Sequence, residues 1–266
     1  MKSYLKYIIV IFFALFSFYY TDKVIELSNY NDTILTSIND YASLKDTKCR
    51  EGMINSDGII LGLSGINVDK NKSYSNMKGI GFKEELVEYK KEECILNKDN
   101  NLDKYIVSGN KYKNNVSLVI NVINGKYYDK MISLNENINL LVNVNMIENL
   151  ENKNNLLFKG NKEEFKIFRK SVDNFYCVKV DNDVIDFCKK YKVNSIKPIN
   201  SIEKDLLLNV KKVLENGTII FIDENSYNLN ELGSTINYIK SRGYNIVNIN
   251  QLLDWFYVDV NDIISL

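Results

Sequence analysis

Two pairs of adjacent carboxylates, Glu163-Glu164 and Asp223-Glu224, stand in a chain of 266 residues that contains no histidine. The missing imidazole removes a general base near neutral pH, a Ser-His-Asp triad and every His metal ligand. Carboxylates alone suit a hard metal ion, or a paired acid and base for glycoside cleavage. The plainer reading has Glu163 and Glu164 opening a solvated helix and Asp223 and Glu224 opening a loop. The four cysteines, Cys49, Cys94, Cys177 and Cys188, show no CxxC spacing, so neither a zinc site nor a thioredoxin-type site is indicated. Cys49 and Cys94 fall in one region and are read either as a disulfide or as buried thiols. Cys177 and Cys188 are expected to be small buried hydrophobes. The glycines between Gly58 and Gly65 follow no phosphate-loop or dinucleotide spacing, so no cofactor is expected.

The totals narrow the partners. Hydrophobic residues make up 45% and charged residues 26%, enough for a packed core. Acidic and basic residues balance at 34 each, which leaves no excess charge for a phosphate backbone and argues against nucleic acid. Lys2 and Lys6 precede an uncharged run from Tyr7 to Thr21. The run is short for a span of about 20 residues, but Tyr4, Leu5 and a snorkelling Lys6 extend it. Phe18, Tyr19 and Tyr20 suit a membrane interface better than a cleavage site, which prefers small residues. Residues 1–21 are therefore expected to be an uncleaved signal anchor, a single-pass transmembrane segment with the rest of the chain extracytoplasmic. A cleaved signal peptide is the alternative.

The elements that would position the carboxylates lie downstream. Residues 22–115 read as a polar stalk and a small N-terminal subdomain, with a helix expected from Phe82 to about Glu93. From Val116 strands and helices alternate. Buried strands are expected at Val116 to Ile123, Ile138 to Val144, Phe175 to Val180, Ser195 to Pro198, Thr218 to Ile222 and Asn245 to Ile249. Helices are expected over Tyr128 to Asn135, Asn182 to Tyr191, Leu206 to Leu214 and Leu229 to Arg242, with the last starting at Asn250. Asn216-Gly217 and Gly243 serve as C-terminal stops. Repeated units of this length imply a parallel sheet or a β/α barrel.

The segment from Glu215 to Asp223, followed by Leu232 to Leu253 with Arg242-Gly243-Tyr244 inside it, resembles the C-terminal end of the NodB-type polysaccharide deacetylases. In that family a strand ending in Leu-His-Asp precedes a helix, Lys-x-Gly-Tyr, a final strand and a Leu-Leu helix. Val116 to Ile123 and Ile138 to Val144 are similar to the family's first two strands. The resemblance implies an α/β fold, a distorted (β/α) barrel of the polysaccharide deacetylase type spanning residues 116–258. It also implies chemistry in which an Asp and two His hold a divalent metal, an Asp is the base and a His the acid.

Those roles do not carry over. Asn121 stands where the base belongs, and Val122 where the Asp ligand belongs. The His-x-x-x-His motif belongs near residues 155–170, which hold no histidine, and Ile222-Asp223-Glu224 replaces Leu-His-Asp. The resemblance therefore implies a cell-surface member with no catalytic residues and no bound metal, whose strand ends still form a cleft for cell-wall polysaccharide or peptidoglycan. Asn121, Asn143, Tyr176, Asp223 and Glu224 are its candidate remnant positions. Tyr127, Tyr128, Tyr176 and Tyr227 are candidates for stacking on sugar rings. The alternatives are a hydrolase with a rebuilt carboxylate site, and an envelope scaffold that recruits a protein through Gly62 to Met77.

Overall fold

The computed structural model describes residues 2–30, 32–134, 137–150, 155–181 and 183–253. They divide into two units, one of residues 2–48 and 66–92 and the other of residues 49–65 and 93–253.

The smaller unit contains a long helix, Lys2–Tyr30, and a second, Thr33–Lys45. Asp32 caps the second by accepting from the amides of Ile34 and Leu35, and Tyr74 Oη donates to the other carboxylate oxygen at 2.6 Å. Ile38, Ala42, Val68 and Met77 form a small core. The helix expected from Phe82 to Glu93 is replaced by a 3₁₀ turn at Glu84–Leu86 and a strand at Tyr89–Glu92. Hydrogen bonds from outside the segment decide this: the Glu88 carbonyl accepts from the Asp69 amide, and the Glu88 amide donates to Ser73 Oγ. Among the described residues no helix is long and apolar enough to cross a membrane. The described side chains from Val10 to Thr21 are all exposed on the first helix. The expected transmembrane segment thus keeps only its sequence pattern as support.

The larger unit is built on an eleven-stranded sheet. Its order is 53–54, 59–60, 105–108, 195–196, 176–178, 156–158, 139–142, 115–121, 219–223 and 201–202, and strand 245–246 adds to the start of 115–121. All pairings are parallel except 53–54 with 59–60. Residues 53–54, 59–60 and 105–108, expected in a separate subdomain ending at 115, are strands of this sheet. The sheet curls: Ser108, from the third strand, bridges Thr218 beside the ninth, and the Gly109 amide donates to the Gly217 carbonyl at 2.8 Å. Gly217 has φ +79°, and a Cβ there would lie 2.6 Å from the Gly109 oxygen. The residue expected to stop a helix is thus the close-approach point of the curled sheet.

Curling gives each strand an inner and an outer face, and alternation assigns every side chain to one of them. Val119, Leu141, Leu157, Val178, Ile196 and Phe221 pack together on the inner side. Leu118, Ile120, Leu140, Phe158, Cys177 and Ile222 face outward and pack against helices. On that side Phe158, Phe168 and Phe175 meet edge to face, with ring centres 5.1 and 4.8 Å apart. The outward direction of Cys177 also corrects the expectation of two free thiols. Cys188, on helix Ile185–Lys190, meets it there, and the two are disulfide-bonded. Cys49 and Cys94 form the second disulfide.

Candidate functional site

The site follows from the same alternation carried one step past the inner core. Two residues beyond Val119 is Asn121. Beyond Leu141 is Asn143, beyond Leu157 is Lys159, beyond Val178 is Val180, and beyond Phe221 is Asp223. All five lie at the C-terminal ends of parallel strands, and four of them line a cavity of about 370 Å³ together with Gly160, Glu164, Val178, Asp181 and Val184. Asp223 joins through Asn121, its register partner on the adjacent strand.

Three side chains form a chain of hydrogen bonds. Asn121 Nδ2 donates to Asp223 Oδ1 at 2.8 Å, and Lys159 Nζ donates to Asn121 Oδ1 and, at 2.7 Å, to the Val122 carbonyl. The two ends fix the amide's orientation, since only its N–H suits a carboxylate and only its oxygen suits an ammonium. Burial pushes the Lys159 amine below the ordinary lysine range, against the opposing pull of Asp223, Glu224 and Asp181. Asn143 adds a buried side-chain oxygen with no hydrogen-bond partner.

Glu224, one residue past Asp223, faces the other way and leaves the cleft. It is 5% exposed, and its Oε2 accepts from the amides of Ile123, Asn124 and Gly125 at 2.7, 2.9 and 3.2 Å. Its Oε1 accepts from the Tyr127 amide at 3.3 Å. Burial alone would raise its carboxyl, but these four bonds to the charged form hold it below the ordinary range. Glu224 is therefore a clamp on the loop after the 115–121 strand, not a remnant cleft residue. Tyr176 is corrected for the same reason of direction: it starts its strand rather than ending it, and its ring is buried in the inner core at 5% exposure. Tyr127 is half-buried against the outer core, and Tyr227 is 77% exposed at the start of helix Ser226–Ser241. The side chain of Tyr128 lies outside the described residues.

The carboxylates do not assemble. Glu163 pairs with Lys166 at 2.9 Å on the surface, and Glu164 completes a capping box with Asn161. Val122 is buried in the outer core and offers no side-chain donor atom. The Asn121 oxygen is engaged by an ammonium. The grouping of metal-type side chains found among the described residues is Cys49, Glu51 and Cys94, and its two sulfurs are bonded to each other. The rim does not fit a divalent metal. Lys159 and Asp181 are the members that reading the sequence for motifs passed over. The signal for Lys159 was its place directly after the short buried strand Leu156–Phe158, in step with Leu157.

No family model matches the sequence, and no curated protein matches it. Solved structures do match. A CE4 family pseudoenzyme from Bacillus anthracis aligns with a TM-score of 0.56 at 19% identity, over 84% of this chain and 96% of that one. A mutant of that protein aligns with a TM-score of 0.58 at 17% identity, over 84% and 98%. A mutant of it with restored enzymatic activity gives 0.57 at 17%, over the same shares. The fold is thus that of the CE4 carbohydrate esterases, the NodB-type deacetylase fold that the sequence resembles.

Proposed function

We propose that this chain is a non-catalytic deacetylase-fold protein that holds a cell-wall or surface glycan in the cleft at the strand ends, outside the cytoplasm and tethered by its N-terminal helix. The observation that carries the reading is the bonded set Lys159–Asn121–Asp223 at the rim. An amide at 121 accepts no proton from water, and the ammonium beside it already gives two of its three N–H donors to Asn121 Oδ1 and the Val122 carbonyl. What remains is a polar, roofless cleft with amide, ammonium and carboxylate groups, suited to hydroxyl-rich ligands. The two disulfides suit an oxidising compartment. The positively flanked apolar N-terminus suits a membrane anchor. The pseudoenzyme status of the Bacillus anthracis protein points the same way for this rim.

The test takes the purified protein to peptidoglycan and to acetylated chitooligomers. Retention on glycan, weakened by substituting Asn121 or Asn143, with no acetate released in the presence of Mn²⁺, Zn²⁺ or Co²⁺, is the expected result. Metal-dependent acetate release that a chelator abolishes would overturn the non-catalytic reading. Absence of retention on every glycan would overturn the ligand class.

A further inference from the structure

We infer that the Lys159 ammonium is a tethered cation that takes over the charge role of a metal ion at the strand rim and thereby keeps metals out of it. The inference does not rest on the glycan reading.

Lys159 sits in the stretch 155–170, and its own backbone amide is anchored to the Val142 carbonyl at 3.0 Å. Its Nζ is held by two oxygens, Asn121 Oδ1 and the Val122 carbonyl. Burial lowers its amine, and Asp223, Glu224 and Asp181 pull the other way, toward the charged form. Oxygen donors converging on a positive charge under the pull of nearby carboxylates are what a hard cation requires. Here the charge arrives on a side chain of the same chain, so no ion need be captured from solution. The arrangement also explains the outward Val122: its carbonyl, not its side chain, serves the cation. A divalent ion entering this rim would meet a fixed positive charge and would find the Asn121 oxygen occupied.

Removing the ammonium leaves the Asn121 and Val122 oxygens and the Asp223 carboxylate without their cation. An exogenous cation of matching size should then substitute for it. The experiment measures thermal unfolding of the full chain and of Lys159→Ala and Lys159→Met, each with EDTA, with MnCl₂ and ZnCl₂, and with ethylammonium chloride. For the wild type, neither metals nor EDTA shift the midpoint, and dialysis against Mn²⁺ leaves no stoichiometric metal. Lys159→Ala loses roughly 2–4 °C, and ethylammonium restores most of the loss where equal tetramethylammonium, too bulky for the vacancy, does not. Lys159→Met keeps the stem without the charge and loses as much as Ala. A metal that binds and stabilises the wild type overturns the inference. So does a Met variant as stable as the wild type, or an Ala loss that no cation repairs, since each assigns the role to the stem. If Lys159→Ala fails to fold, the wild-type metal titration and the Met variant still decide it.

Discussion

Asn121 and Asp223 end two neighbouring parallel strands in register, and their side chains are bonded at 2.8 Å between Nδ2 and Oδ1. An amide is the residue that tolerates a carboxylate on one side and an ammonium on the other. Replacing it by Asn121→Asp sets two carboxylates side by side and removes the N–H that joins them. One of the pair must then stay protonated or repel the other. The expected outcome is a loss of about 1 kcal/mol in chemical denaturation at pH 7, and no acetate release with any divalent metal. A base alone does not make a metal site where Val122 offers no side-chain donor atom and its carbonyl holds Lys159. Acetate release from this single variant would show the rim to be metal-competent.

Glu224 gives a pH dependence with a definite sign. Its carboxyl titrates below the ordinary value of 4.5 in the folded protein. A depressed carboxylate contributes stability that is fully present above the unfolded value and is lost as pH falls through the folded one. Glu224→Gln places an N–H₂ group among four amide donors, and is expected to cost about 1–3 kcal/mol at pH 7. The gap between wild type and variant should narrow below pH 4.5. Urea denaturation at stepped pH measures it, and a gap constant down to pH 3 would mean that Glu224 does not act through its charge.

These two residues also mark where the sequence could be read and where it could not. The parallel strands were legible because their apolar runs, such as Val116 to Ile120, are buried on both faces. Position 121 was legible because it follows one of them. Glu224 was misplaced beside Asp223 because adjacency in sequence means opposite faces at a strand end. Tyr176 was misplaced because the motif order said which strand it belonged to and not which end. Strand 105–108 was illegible: four residues after a turn-rich stretch carry little periodicity, and their place is set by pairing with residues 195–196, far along the chain. The Cys177–Cys188 bond was missed because no spacing rule links a strand to the helix after it, whereas helix Ile185–Lys190, packed on the outer face of that strand, brings the two Cα atoms to 6.6 Å.

That disulfide is open to a direct check. It ties a buried strand to helix Ile185–Lys190 across a sequence separation of 11 residues. Under denaturing, non-reducing conditions the protein should show no reactive thiol, and four after reduction, matching the four cysteines. Substituting both partners, Cys177→Ser with Cys188→Ser, should lower stability by about 2–4 kcal/mol. Part of that cost comes from the hydroxyls left in an apolar layer. Cys177→Ala with Cys188→Ala separates the two effects, and should recover the share due to the hydroxyls.

Asn143 offers the sharpest separation of binding from folding. Its Oδ1 is buried at the cleft and lacks a partner. A carbonyl in that state costs free energy in the unliganded protein, so deleting it should not destabilise the fold. Asn143→Ala is therefore expected to change stability by less than about 0.5 kcal/mol. A glycan hydroxyl donating to that oxygen would relieve the cost on binding. Losing the bond should weaken glycan affinity roughly fivefold, which is about 1 kcal/mol. Paired measurements of the unfolding midpoint and of chitooligomer affinity decide the matter. A variant with a much lower midpoint and unchanged affinity would assign the oxygen to the fold and remove Asn143 from the cleft's binding groups.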